Sequence, residues 1–118
     1  MIKVSVLYPN GEGNIFDMKY YLAKHIPLVR RLSGAAPKKV EVEEGVAGLA
    51  AGSSPAFLAM GHLFFESVQA FQSAFGPHAA EITDDIPNYT NTQPTIQISD
   101  VKLYAPLAAL VVSGEFLG

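Results

Sequence analysis

The chain has 118 residues, 49% apolar and only 16% charged, with eight Lys and Arg against eleven Asp and Glu for a net charge of −3. A chain this short, with no charge block or low-complexity stretch, is expected to form one domain, and its scattered basic residues offer no phosphate-binding face for nucleic acid. It lacks cysteine, which removes disulfides and thiolate metal sites, and no apolar run approaches the roughly 18 residues a membrane span needs, so a soluble, cytoplasmic protein is expected. So apolar a composition in so small a domain predicts burial against a second copy.

Ile2, Val4, Val6 and Tyr8 alternate with Lys3 and Ser5 at strand period, and Pro9-Asn10-Gly11 stops the strand. Asn14, with Asp17 three residues later, has the pattern of a helix N-cap with an acidic first turn. Gly34 closes that segment, which predicts a helix over about 15–33. Met18, Leu22, His25, Val29 and Leu32 fall within about 80° of arc on its wheel, opposite Lys19, Lys24, Arg30 and Arg31, so this stripe faces the core. Pro27 removes the donor that would reach the Ala23 carbonyl and predicts a bend near His25.

Val40 and Val42 alternate with Glu41 and Glu43 in a second strand over 38–44, near a sheet edge. Residues 45–56, rich in Gly, Ala and Ser, predict a mobile loop. The nearly all-apolar stretch 57–65 predicts a central strand, interrupted by His62 on the face shared by Leu58, Met60 and Phe64. Val68, Phe71 and Phe75 recur at helical spacing before Gly76-Pro77, after which a further helical turn can start. Residues 84–89 are polar punctuation, and Ile96 and Ile98 alternate with Thr95, Gln97 and Ser99 in a fourth strand over 95–102.

The order β-α-β-β-α-β predicts an α+β, ferredoxin-like fold, a four-stranded antiparallel sheet with both helices on one face. The bare face is expected to pair with the same face of a twin in a homodimer. Residues 1–103 then form the domain. The tail 104–118, with its apolar run at 107–112, is expected to pack at the dimer.

A histidine in an apolar stripe either gives both ring nitrogens to structural partners or keeps one for a ligand. His25 is therefore the candidate general acid/base, in apolar space where desolvation lowers its pKa unless a carboxylate offsets this. Tyr21 lies one turn earlier and is expected to orient a substrate through its hydroxyl. Candidate substrate-binding residues are His62, Met60 and Phe64; period-two spacing leaves open whether they face the helices or the dimer. Asp85 joins them as a candidate, since it or Asp84 offers a carboxylate to a histidine, although Asp before Ile-Pro-Asn also suits a cap or turn.

Other patterns lead nowhere. His25, His62 and His78 lack metal-ligand spacing, Gly11-Glu12-Gly13 lacks the third glycine of a dinucleotide fingerprint, and Ser53-Ser54 lacks a nucleophile elbow. No metal and no cofactor are expected. Haem on His25 remains a remote option, with no basic cluster for its propionates.

Three stretches carry a family resemblance: Phe16-Asp17-Met18-Lys19-Tyr20-Tyr21-Leu22-Ala23-Lys24-His25-Ile26-Pro27-Leu28-Val29, then 63–71 at the strand-to-helix junction, then 85–91 before the last strand. Together they resemble the EthD family, small dimeric α/β-barrel proteins named from bacterial ethyl tert-butyl ether degradation. The resemblance implies sheets paired in a dimeric α/β barrel. It also implies catabolic chemistry on a small hydrophobic or aromatic molecule, because members are labelled oxidoreductases or reductases and related barrels include isomerases, decarboxylases, cyclases and cofactor-free oxygenases. The alternative it leaves is a non-catalytic protein that binds a hydrophobic intermediate or assists a partner enzyme.

Overall fold

The structure, a computed structural model, describes residues 1–105. In chain order these form β1 (Ile2–Pro9), α1 (Met18–Tyr20), a π-helical turn (Tyr21–His25), α2 (Ile26–Ser33), β2 (Lys39–Glu44) and β3 (Phe57–Phe65). There follow α3 (Val68–Phe75), a 3-10 turn (Gly76–His78), α4 (Ala79–Asp84), a second 3-10 turn (Ile86–Asn88) and β4 (Thr95–Asp100). The four strands pair antiparallel in the order β2-β3-β1-β4, with the helices on one side, which is the ferredoxin-like arrangement. The expected packing of the tail at a dimer falls on residues outside the described ones.

Strand register assigns the two faces. Val4 lies opposite Leu63 and Ile98, and Val6 opposite Gly61 and Ile96, so these positions share the helix-covered face with Ile2, Tyr8, Ala59 and Phe65. Ser5 lies opposite His62 and Gln97, and Lys3 opposite Phe64 and Ser99, on the other face. Two buried clusters form under the helices, one of Tyr8, Tyr21, Ala59 and Tyr89 and one of Ile2, Val4 and Phe65. The loop between β2 and β3 turns Val46 and Leu49 out to solvent.

The first helix departs from its expected form at both its cap and its phase. Asp17, not Asn14, is the N-cap: its carboxylate accepts from the Tyr20 N–H at 3.0 Å, while the Asn14 side chain donates back to the Pro9 carbonyl. The helix thus begins at Met18, three residues later than expected. Its buried side chains are Tyr21, His25, Val29 and Ser33, and Leu22, expected in the stripe, is 50% exposed. The cause is the π turn, in which the Ile26 N–H bonds to the Tyr21 carbonyl five residues back. That wider turn takes in an extra residue, so a wheel built at 100° per residue drifts and Leu22 rotates out. Pro27 directly follows the π turn inside this continuous helix and contributes no N–H to it.

Asp17→Ala should cost about 1 kcal/mol of stability in urea unfolding, with Asp17→Asn within a few tenths of the original protein. Equal losses for the two would place the cap elsewhere.

Candidate functional site

The turn after α4 supplies three side chains to one point. Asp85 ends α4, the 3-10 turn with Pro87 in its first positions follows, and Tyr89 closes it, with the Asn88 N–H on the Asp85 carbonyl and the Tyr89 N–H on the Ile86 carbonyl. This turn is stitched to the start of the first helix. The Asp17 N–H donates to the Tyr89 carbonyl at 2.7 Å, the Thr90 hydroxyl donates to the Ile15 carbonyl, and Asn91 bonds both the Ile15 N–H and the Gly13 carbonyl.

His25, only 4% exposed, meets this turn from the π segment. Its Nδ1 lies 2.9 Å from Asp85 Oδ2, and its Nε2 lies 3.4 Å from the Tyr89 hydroxyl. A carboxylate only accepts, so the ring proton sits on Nδ1 and Nε2 is the acceptor of the neutral imidazole. Tyr89 then donates to Nε2. Its oxygen in turn accepts from Tyr8, 2.7 Å away, and the Tyr21 ring meets the Tyr8 ring edge-on with centroids 5.7 Å apart. Asp85 Oδ1 meanwhile accepts from the Tyr20 hydroxyl at 2.7 Å and from the Asn88 amide at 3.0 Å. Every donor in this chain points toward Nε2 or toward the carboxylate behind it.

Burial pushes the His25 pKa down, and the bond and charge of Asp85 oppose that only in part. For Asp85, burial pushes up, but donation from Asn88, Tyr20 and His25 outweighs it and holds the carboxyl below its usual range. Tyr8, Tyr21 and Tyr89 are raised by burial above all, so they remain protonated donors. The resting site is a neutral imidazole backed by an ionised carboxylate.

A folded pKa below the unfolded value of about 6.5 stabilises the protein above that pH, and the contribution is lost as pH falls from there toward the folded value. The stability difference between the original protein and His25→Gln should therefore shrink from pH 7.5 to pH 5.5 in urea unfolding. A difference that grows would mean that the fold holds an imidazolium.

A cavity of about 150 Å³ adjoins His25 between sheet and helices. Tyr8, Tyr21 and His25 line one end, Val4, Val6, Leu63, Phe65, Phe71 and Phe75 make an apolar body, and Gln93, Pro94 and Ile96 stand by the β4 edge. Ile96 is 56% exposed, so the lining reaches solvent on that side.

Of the residues the sequence nominated, His25, Tyr21 and Asp85 come together here. Asp85 bonds His25 and is not among the cavity-lining residues. His62, Met60 and Phe64 point from β3 to the opposite face of the sheet and line none of this cavity, because their register partners are Ser5, Leu7 and Lys3. There the Ser5 hydroxyl bonds His62 Nδ1 at 2.8 Å, Glu43 lies 3.4 Å from Nε2, and Phe64 sits beneath Lys3, Lys39 and the Tyr104 ring. Tyr8, Tyr20, Asn88 and Tyr89 went unnominated. Gly61 marks a close approach in a buried strand, where a Cβ would collide with the Tyr21 hydroxyl, and so points to Tyr21 and to none of these four. Among the described residues no three His, Asp or Glu side chains gather as a metal site, and no helix is long and apolar enough to cross a membrane.

The EthD domain model matches residues 16–93, a span that holds His25, Tyr20, Tyr21, Asp85, Asn88 and Tyr89. Among solved structures, an EthD-like protein of Ralstonia eutropha JMP134 is 44% identical and superposes with a TM-score of 0.84, covering 88% of this chain and 94% of that one. An ethyl tert-butyl ether degradation (EthD) family protein of Bacillus halodurans C-125 shares the fold at 19% identity with a TM-score of 0.65, covering 86% of this chain and 98% of that one. No curated protein matches the chain.

Proposed function

The chain belongs to the EthD family, and from that premise we propose that it is a small-molecule enzyme of bacterial catabolism in which His25 moves a proton on a compact hydrophobic substrate. The observation that carries this reading is a buried histidine with a carboxylate on Nδ1 and an apolar cavity beside it. The carboxylate fixes the tautomer and stabilises the imidazolium that forms when Nε2 takes a proton. A space of about 150 Å³ suits a guest near the size of one aromatic ring. Proton transfer to and from carbon is a step shared by isomerisation, decarboxylation and cofactor-independent oxidation. The working form is a cytoplasmic homodimer with the outer sheet faces paired in an α/β barrel.

Haem has no part in this reading. Nε2 is faced by the Tyr89 hydroxyl at 3.4 Å, and the cavity is small for a tetrapyrrole.

That same hydroxyl favours a second reading, a binding or accessory protein for a hydrophobic intermediate or partner enzyme, because it gives both ring nitrogens partners. Deuterium exchange separates the two. A panel of compact ring ketones and lactones is incubated in D2O with the protein, and loss of the α-proton signal is followed by NMR. The enzyme reading predicts accelerated exchange for a member that fits and none with His25→Gln. No acceleration across the panel, with small aromatics still binding in the cavity, would leave the accessory reading.

A further inference from the structure

The polar groups lining the cavity are unevenly placed. Ser33 lies two helical turns beyond His25, the Thr83 hydroxyl is given to the Ala79 carbonyl, and Gln93 is on the exposed loop before β4. Beside His25 the lining includes Tyr8 and Tyr21, with apolar side chains beyond.

These two hydroxyls are held in place before any guest arrives. The Tyr21 hydroxyl rests against β3 where Gly61 has no Cβ to displace it, and Tyr8 is tied to Tyr89 at 2.7 Å. The Tyr21 and His25 rings lie nearly parallel, 16° apart with centroids at 5.4 Å. The hydrogen-bonded run Tyr8, Tyr89, Nε2, with the Tyr21 ring edge-on to Tyr8 at 5.7 Å between centroids, gathers the hydroxyls and the basic nitrogen into one cluster. Preorganised neutral donors next to a base suit an oxygen on which negative charge develops as a neighbouring proton leaves.

We propose that the hydroxyls of Tyr21 and Tyr8 form an oxyanion-binding subsite beside His25, so that the guest is a compact ring compound with a carbonyl oxygen next to an acidic C–H. This rests on the proton-transfer reading of His25 and names its substrate class. Nε2 takes the proton from the carbon adjacent to the carbonyl. The C–H electron pair becomes the new C=C bond, and the carbonyl π pair moves to oxygen, which accepts from Tyr21 and Tyr8. Phenolic hydrogens turn about their C–O bonds at little cost: Tyr89 swings its hydrogen from Nε2 to the Tyr8 oxygen, which frees the base and the Tyr8 hydrogen, and Tyr8 and Tyr21 then donate to the guest. The imidazolium, held by the Asp85 carboxylate, returns the proton to the same carbon or, in a conjugated guest, to a more distant one. The first outcome is exchange and the second a double-bond shift, and neither requires another reactant.

The test uses 4-nitrophenol, whose phenolate mimics the enolate oxygen, with 4-nitrotoluene as a partner of similar shape that lacks it. The original protein should bind 4-nitrophenol and lower the pH at which the bound probe ionises. Tyr21→Phe and Tyr8→Phe should each weaken phenolate binding about tenfold or more, as loss of a hydrogen bond to a charged group predicts, and leave 4-nitrotoluene within about twofold. Failure of the original protein to bind the phenolate, equal phenolate affinity in both variants, or an equal loss of the two probes would overturn the subsite. His25→Gln distinguishes the two layers. If it keeps the tyrosine-dependent preference for phenolate while the protein accelerates no exchange, the subsite stands and the proton shuttle falls; if exchange requires His25 but phenolate binding ignores the tyrosines, the shuttle stands and the subsite falls.

Discussion

Asp85→Asn should slow His25-dependent deuterium exchange by roughly 10² to 10⁴ while the protein stays folded. The carboxylate oxygen 2.9 Å from Nδ1 can only accept, which fixes the ring proton there and leaves Nε2 as the base. An asparagine side chain can also present its NH2 to Nδ1. The ring then takes the other tautomer, with its proton on Nε2 facing Tyr89 and the cavity, and the base is gone. The imidazolium formed during transfer also loses its counter-charge. Circular dichroism and a urea midpoint check the fold, and exchange within about threefold of the original rate would show that Asp85 does not set the tautomer.

Phe65→Ala should remove about 3–5 kcal/mol of stability, a large share of the roughly 5–15 kcal/mol that a domain this size has in total. Phe65 is 1% exposed, packs with Ile2 and Val4 under the helices, and meets the Phe71 ring nearly edge-on with centroids 5.2 Å apart. Truncation loses the burial of the ring and leaves a hole that these neighbours fill only in part. Because Phe65 also lines the cavity, that hole joins it, so bulkier aromatics should bind to the variant. A lower urea midpoint at unchanged slope is the expected signature. A loss under about 1 kcal/mol would mean that the second cluster collapses around the vacancy.

Elements with strong periodicity were legible in the sequence. The alternation of Ile2, Val4, Val6 and Tyr8, the apolar run at 57–65 and the Val40/Val42 pair place three strands within a residue or two, because side-chain direction in a strand follows position alone. His25 was legible for a similar reason, as a polar residue in an apolar stripe. Its surroundings were not. The π turn depends on where one backbone N–H goes, at Ile26, and no wheel registers it, so Tyr21 was placed correctly while Leu22 was not. Asp85 reads locally as a turn residue, which it is, and its bond to a histidine 60 positions earlier depends on how the turn docks against the first helix. His62 was undecided by one step of register, and its pairing opposite Ser5 on β1 puts it on the far face. Tyr8, Tyr20 and Tyr89 looked like ordinary packing aromatics, and only their convergence on His25 and Asp85 sets them apart.

The proposed chemistry requires one nitrogen of a dry, buried imidazole to be basic and within reach of a guest. Nitrogen-15 NMR of the His25 ring reads this directly, in the free protein and with a ring-sized ligand such as 4-nitrotoluene in the cavity. The expected result is a neutral ring at pH 7 with its proton on Nδ1, a pKa below 6.5, and an Nε2 resonance that moves when the ligand binds. A ring protonated at pH 7, or an Nε2 signal indifferent to a ligand shown to be bound, would contradict it.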